Sequence, residues 1–541
     1  MRKKIIATLF LFIVPLVAPL MCHGQKLTIV HVNDTHSHLF PFGPNNSYGG
    51  IAKVSYLIRK ARHDNGEVLA LHAGDAFVGS FAFNRYLGYS ELKLMEDMYD
   101  VMCMGNHEFD LGPDNLAAIL AGITSGGSPV TLPMLCANVK FPPDHPLRQF
   151  IRPHMIINKG GLQIGLMGVV TTDPFNYSKE AQALLTDPFA AAARSTQILR
   201  DRGCEIVICL SHLGKLYDEL FLSQVPGIDI IVGGHSHDAI PDPEIVNGKI
   251  IVQAGAFNRY LGELNVNFTG RRVELIDYRL YEINEHVRKD LHLLKPLRDL
   301  KTGIEEDPRF GPVYSKKVAV AQWNHEEQWV WDEPFRDTPL GNLITDAMRD
   351  TVISNGIQLP GEHPLLAIEA NGYISHRIYK GKVVGNDILR AVPYGYDPSS
   401  GLGSKITVAL LAGAQILAGL EFSTMMVDYT DELSLQVSGM SFAYDSSKPA
   451  VTEEELLQGQ ISRIDPASIR IQGQPINPEG LYWVVLDELL LQFLTSLNLL
   501  PFAEVETGIF LYDVVKSYME KLKVLSYESE GRIVDTALLP K

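Results

Sequence analysis

The chain runs to 541 residues with a formal net charge of −16. That length gives two or three domains, each large enough for its own core. A balance this acidic excludes a general binder of nucleic-acid polymers, and any anionic substrate must meet metal ions or a few local Arg and Lys side chains.

The first residues read as an export signal. Arg2, Lys3 and Lys4 precede an apolar run from Ile5 to Leu20, and polar residues follow at Cys22-His23-Gly24-Gln25. The run is short for a membrane span and its flanks suit a secretory leader, cleaved after Gly24. The remaining chain is then periplasmic or extracellular. A lipid anchor on Cys22 is the rival reading, weakened by the bulk of Met21 before it. No later stretch is long and apolar enough to span a bilayer. Cys103, Cys136, Cys204 and Cys209 remain, too few for a disulfide framework. Buried free thiols are expected, with one Cys103–Cys136 link as the alternative. Cys204 and Cys209 fall on one predicted strand.

The first half alternates apolar strands with helices. Lys26 to Val32 is a strand, and Asn33-Asp34-Thr35-His36-Ser37-His38 is the turn after it. An Asp-x-His pair at a strand end can grip a cation with a carboxylate and an imidazole. Ile51 to Arg62 is an amphipathic return helix. Val68 to Gly74 is the next strand and ends in Asp75, whose two oxygens can bridge two cations. Asp100 to Met104 is another, followed by Gly105-Asn106-His107-Glu108-Phe109-Asp110 and a helix over Leu111 to Ile119. The strand Glu205 to Ser211 ends in His212, and Asp229 to Gly234 ends in His235-Ser236-His237. These runs are continuous rather than alternating, which fits strands covered on both faces. Five of them end in Asp, His or Asn. A buried imidazole or carboxylate needs a partner, so five such ends point to one shared site.

From Leu261 to Glu282 the strands alternate, as in a sheet with one wet face. Asn284 to Lys301 reads as a charged helix, broken by Asp307-Pro308-Arg309-Phe310-Gly311-Pro312. Gln322 to Asp332 holds Trp323, Trp329 and Trp331 and reads as a surface flap. The second half opens with a helix over Thr338 to Met348. It continues with strands at Leu365–Glu369 and Ile406–Ala409, a helix at Ala412–Leu420 and a hairpin-like Ser434 to Tyr444. Late elements are a strand at Tyr482–Leu486 and a helix over Tyr512 to Leu522. This is an α+β pattern with no metal-type cluster.

The motifs Asn33-Asp34-Thr35-His36, Gly74-Asp75, Gly105-Asn106-His107-Glu108, Ser211-His212 and Gly234-His235-Ser236-His237 resemble those of the calcineurin-like metallophosphoesterases. Within them these motifs resemble the secreted 5′-nucleotidase/UDP-sugar hydrolase family. The resemblance implies that Asp34, His36 and His237 hold one divalent ion, that Asn106, His212 and His235 hold a second, and that Asp75 bridges them. Two such ions about 3.5–4 Å apart can clamp the oxygens of an in-line phosphoryl displacement. This donor set suits Zn, Mn or Co. His107 is read as the cation that stabilises the transition state or protonates the leaving group, with Asp110 holding its imidazole.

In the second half the likeness loosens. Ser438 to Asp445 is similar to the family's C-terminal signature, and Leu340 to Ile344 to its opening helix. The nucleotide motif Asn-Gly-Gly-Gly-Ile-Arg survives only as Asn371 to Arg377, and Pro-Phe-Gly as Pro393-Tyr394-Gly395-Tyr396. A Gly-Gly-Asp-Gly loop expected after Leu486 is replaced by a Leu-rich stretch. Tyr394 or Tyr396 would stack on a base, with plain packing as the alternative for either, and Arg336, Asn371 and Arg377 would contact the rest of the substrate.

The expected fold is α/β: an N-terminal four-layer metallophosphoesterase β-sandwich flanked by helices, plus a C-terminal α+β domain. The expected bounds are a signal peptide at 1–24, the metallophosphoesterase domain at 25–285, a helical linker at 286–335 and the substrate-binding domain at 336–541. The expected activity is release of phosphate from nucleoside 5′-monophosphates. A nucleotide sugar, a cyclic nucleotide or a non-nucleotide phosphate is the alternative substrate. Sulfur-ester hydrolysis and a non-catalytic ligand-binding protein are the more distant readings.

Overall fold

The structure is a computed structural model that describes residues 24–173, 177–270, 272–327, 335–428, 432–497 and 499–538. The leader ahead of Gly24, with Cys22, lies outside the described residues, as do Trp329 and Trp331. Among the described residues no helix is long and apolar enough to cross a membrane.

Two sheets face each other in the first half. One runs in the order Val273–Glu282, Tyr260–Phe268, Gln25–Val32, Val68–His72, Val101–Cys103, Met134–Leu135, Ile151–Arg152. The other runs Glu244–Val246, Lys249–Val252, Ile230–Gly233, Ile206–His212, Leu162–Val170, His154–Lys159. Side chains alternate along each strand, so each strand serves two cores. Leu27, Ile29, Leu69 and Leu71 face Leu166, Ile208 and Val232 between the sheets. Val30, Val32 and Ala70 turn outward onto Val54 and Ile58 of the helix Ile51–Asn65. Met167, Val207 and Ile231 turn outward onto Leu199 and Phe221 of two further helices. The result is helix, sheet, sheet, helix. It explains why the strands Val68–His72 and Ile206–His212 are buried at every position. Each fully buried aliphatic side chain contributes about 1.5–3 kcal/mol. The outermost strand, Val273–Glu282, is exposed at half of its positions, Asp277, Arg279 and Glu282 among them.

The second half is built on a five-stranded sheet ordered Leu435–Ser438, Leu365–Ala370, Leu481–Asp487, Lys405–Ala412, Ala503–Phe510. The helices Pro339–Ser354, Gly413–Met426 and Glu488–Ser496 accompany it. The halves meet directly. The Phe81 ring lies 4.8 Å from Phe310 and 5.4 Å from Tyr512, and Asn84 donates to the Gly401 carbonyl at 2.9 Å.

Four expectations need correction. Ser434 to Tyr444 is no hairpin: Gly439, at φ 73°, passes the chain from Leu435–Ser438 in the five-stranded sheet to Met440–Tyr444 in another. Residues 284–290 are not helical. Asp290 accepts from the His292 N–H, so helical structure starts at Leu291–Leu293 and continues as Leu294–Glu305. Cys204 precedes the strand that holds Cys209. The strand Lys317–Ala321, inside the span read as linker, pairs with Gly381–Val384 and Val524–Leu525 of the second half. Cys103, Cys136, Cys204 and Cys209 are all free and buried, so the alternative of a Cys103–Cys136 link is not formed.

Candidate metal centre

Five strands bring their carboxyl ends to one pocket. Gln25–Val32 leads to Asp34 and His36, Val68–His72 to Asp75, and Val101–Cys103 to Asn106 and His107. Ile206–His212 ends in His212 itself, and Ile230–Gly233 leads to His235 and His237. Donor atoms of Asp34, His36 and His237 lie within 4.8 Å of one another, as do those of Asp75, His212 and His235. A third group joins His36, Asp75 and His107. His212 Nε2 is 3.0 Å from Asp75 Oδ2, and His237 Nε2 is 3.5 Å from Asp34 Oδ1.

The backbone is bent to achieve this. Asp34, His36, Asp75, His235 and His237 all have positive φ, between 44° and 75°. A non-glycine residue in that region costs roughly 1 kcal/mol or more, and such strain gathers at functional sites. Close approach demands glycine at two places. A Cβ on Gly74 would sit 2.5 Å from His212 Nδ1, and one on Gly105 would sit 2.1 Å from Asp75 Oδ1.

Two observations fit this pocket to divalent cations. His36 Nε2 and His237 Nε2 lie 3.0 Å apart, a spacing at which one ring's N–H donates to the other or both lone pairs converge on one cation. Asn106 Oδ1 is buried and has no hydrogen-bond partner among the described residues. The protonation pattern agrees. Burial holds His36 down to about 3 and His235 to about 4, so both are neutral donors of a lone pair. Burial opposes charge on Asp34 too, but His212 and His237 bring its carboxyl down to about 2. Burial likewise opposes charge on His212, yet Asp75 and Asp34 lift it to about 9. That proton stands where a cation would satisfy the same carboxylates. The His212 Nδ1 faces the Ala73 carbonyl at 2.7 Å, which fixes the ring so that Nε2 meets the carboxylates.

His107 is held differently. Its Nδ1 lies 2.8 Å from Asp110 Oδ2, and its backbone N–H donates to Asp75 Oδ1 at 3.0 Å. Burial works against its charge, but Asp110 and Asp75 raise it to about 10. Its Nδ1 meets a carboxylate, whereas the Nδ1 of His212 meets a backbone carbonyl.

Glu108 is the residue that motif reading passed over. Its carboxylate accepts from the N–H groups of Gly105, Asp75 and Ala76 at 2.6, 3.1 and 2.7 Å, with Phe77 at 3.3 Å. It therefore ties the Asp75 turn to the Asn106 turn. A charged residue in the middle of an otherwise ligand-bearing motif was the available signal.

The candidate substrate residues scatter. The Tyr394 ring stacks on His107 at 5.5 Å and 23°. Tyr373, which the sequence did not single out, meets Tyr394 edge-on at 6.0 Å. Asn371 is buried with both amide atoms unpartnered among the described residues. Tyr396 instead packs on Phe83. Arg377 is taken up by Glu326 at 2.5 Å and Glu327 at 3.2 Å. Arg336 is exposed, and its carbonyl accepts from Gln436.

The fold and this cluster define a metal-dependent phosphoesterase. Residues 27–239 match the calcineurin-like phosphoesterase model, and residues 319–493 match the 5′-nucleotidase C-terminal domain model. The chain belongs to the family of phosphate-ester hydrolases that joins these two domains, the 5′-nucleotidases, and as such it uses divalent metal ions. It is 26% identical to the 5′-nucleotidase of Diplobatis ommata over 556 residues, 95% of this chain and 91% of that one. It is 26% identical over 457 residues to the trifunctional nucleotide phosphoesterase protein YfkN of Bacillus subtilis, covering 78% of this chain but only 29% of that longer protein. The crystal structure of the 5′-nucleotidase precursor from Thermus thermophilus superposes with a TM-score of 0.79 at 26% identity, over 94% of this chain and 99% of that one.

Proposed function

We propose that this protein is an exported 5′-nucleotidase that removes phosphate from nucleoside 5′-monophosphates. One ion would be held by Asp34, His36 and His237 and a second by Asn106, His212 and His235, with Asp75 touching both. Zn, Mn and Co suit these donors equally. Such ions supply Lewis acidity to phosphoryl oxygens and lower the pKa of a water molecule. The chain's own groups do the rest. His107, charged and held at Nδ1 by Asp110, offers its other N–H to the oxygen that leaves. Glu108 keeps the two central turns in register. The metal-bearing unit covers residues 25–285, residues 286–335 connect, and 336–541 supply the substrate contacts, with Lys317–Ala321 joining them as a strand. The leader at 1–24 sends the chain to the periplasm or beyond the cell.

The observation that carries a nucleotide is the Tyr394 ring on His107. It sets an aromatic face from the second half directly against the reactive pocket, where a base or ribose can pack. The test is phosphate release by the purified chain across nucleotides, nucleotide sugars and simple esters, with Mn, Zn and Co supplied in turn. Preference for 5′-monophosphates is expected. Equal turnover of nucleotides and simple esters would overturn the nucleotide assignment.

A second reading, a non-nucleotide phosphate monoester, also has an observation behind it. Arg377 is neutralised by two glutamates, and the glycine loop of the family is here the helix Glu488–Ser496. The same screen separates the two.

A further inference from the structure

We infer that Gln253 is a positioning residue of the proposed reaction: its side-chain amide holds the loop that carries His235 and His237, one proposed donor for each ion. The strand Lys249–Val252 lies parallel to Ile230–Gly233 with Val252 beside Val232. Gln253 therefore comes level with Gly233, just ahead of the loop from Gly234 to Asp238. Its side chain is fully buried. The approach is close, since a Cβ on Gly233 would sit 2.6 Å from Asp218 Oδ2 and 3.2 Å from Gln253 Nε2.

Both ends of the amide are used. Its Oε1 accepts from the Asp238 N–H at 2.6 Å. Its Nε2 donates to the Ser236 Oγ at 3.2 Å and to the Gly234 carbonyl at 3.4 Å. A backbone donor at one end and a backbone acceptor at the other fix which atom is the oxygen. The residues gripped are alternate ones, 234, 236 and 238. The two between them, His235 and His237, turn into the pocket, His235 towards Asp75 and His212, His237 towards Asp34 and His36.

His235 and His237 have positive φ, 75° and 58°. Left-handed backbone at a non-glycine residue persists only where its surroundings impose it. The His235 N–H on the Asp34 carboxylate at 3.0 Å and the Gly255 N–H on the Asp238 carbonyl at 2.9 Å supply part of that constraint. Gln253 adds three contacts in a site closed to water, where hydrogen bonds are stronger than in solvent. Ser236 carries the hold further. Its Oγ also accepts from the Lys215 N–H at 3.0 Å and donates to Asp238 Oδ2 at 2.6 Å. Lys215 opens the helix Lys215–Gln224, three residues after His212. One amide and one hydroxyl thus set His212, His235 and His237, from two turns, relative to one another.

This role rests on the proposed ligand assignment, and the test keeps the two apart. The purified full chain, loaded with Mn or Zn, is titrated with a competing chelator, and the urea stability of its metal-free form is measured alongside. Gln253→Met keeps the volume and loses every hydrogen bond. It should weaken both ions, because His235 and His237 serve different ones, by about 10–100-fold, the usual cost of removing a group that orients metal ligands. Ser236 is exposed, so Ser236→Ala folds whatever becomes of buried Gln253, and it should weaken the ions in the same direction. A merely structural glutamine would lower the stability of the metal-free chain and leave both affinities unchanged, and that result overturns the role. Should Gln253→Met not fold, wild-type affinity in Ser236→Ala overturns it instead. Failure of the ligand assignment itself would appear as a wild-type chain that takes up no pair of ions.

Discussion

His107 shows how few atoms set the charge of a side chain. Asp110 and Asp75 outweigh its burial and raise it to about 10, well above its ordinary 6.5. It therefore keeps its proton through neutral pH and loses it only as pH rises through the raised value. Cations held by the residues proposed as ligands would repel that proton, so the alkaline limb of the rate profile should lie below 10 in the loaded protein. Replacing Asp110 by Asn should move this limb further down and cut turnover roughly 10–100-fold, the usual cost of losing a supporting carboxylate. His107→Ala should lower kcat on the order of 10²–10³-fold while bound metal, read by elemental analysis, stays the same. Loss of metal instead would make His107 a ligand. Asp75→Asn should remove most turnover together with bound metal. Glu91 gives a stability test with the opposite chemistry. It is 1% exposed, and burial pushes its carboxyl up to about 7 from 4.5. Its folded form holds the proton more tightly, so wild-type stability declines as pH rises from about 4.5 to 7. Glu91→Gln cannot ionise and should match wild type at pH 4.5 yet exceed it by up to ~3 kcal/mol at pH 8 in urea melts.

At the scale of the element, what the sequence shows depends on whether a segment's partners are local. The strands Val68–His72 and Ile206–His212 are unbroken apolar runs because each is covered on both faces, and that pattern needs no knowledge of the neighbour. The turns after them were legible for the same reason, since Asp, His and Asn at the end of a buried strand have few other uses. Partner choice was not legible. Leu435–Ser438 and Met440–Tyr444 alternate as a hairpin would, yet they join different sheets, because alternation specifies faces and not neighbours. The helix expected from Asn284 begins later because Asp290 is better placed as a cap than as a helical residue. Glu108 escaped notice because its partners are backbone N–H groups of a turn some thirty residues away in sequence. Ile208 tests the sandwich itself. It is fully buried between the sheets, and Ile208→Ala should cost ~2–5 kcal/mol in urea unfolding.

Across the whole molecule, the two halves work as one. The rings of His38, Phe42 and Phe257 meet His376 at 4.9–5.3 Å, and Tyr394 reaches His107, so the second half forms one wall of the candidate metal pocket. Tyr394→Ala should weaken AMP binding by ~1–3 kcal/mol, the range for losing an aromatic stacking platform. Unchanged binding would place the base elsewhere. The sequence was least informative here. Tyr394 and Tyr396 are two residues apart and look alike, but only the fold reveals that Tyr396 turns to Phe83. Arg377 carries a charge that suits phosphate, and only the fold reveals that Glu326 and Glu327 already hold it.

The four described cysteines offer one more consequence. Cys103 and Cys209 are fully enclosed in the first half, and burial pushes both thiols away from the reactive anion. A maleimide added to the native protein should therefore find almost nothing to label at those positions. Each adduct that does form marks a moment when the sandwich has opened, so the rate of labelling becomes a clock for its breathing.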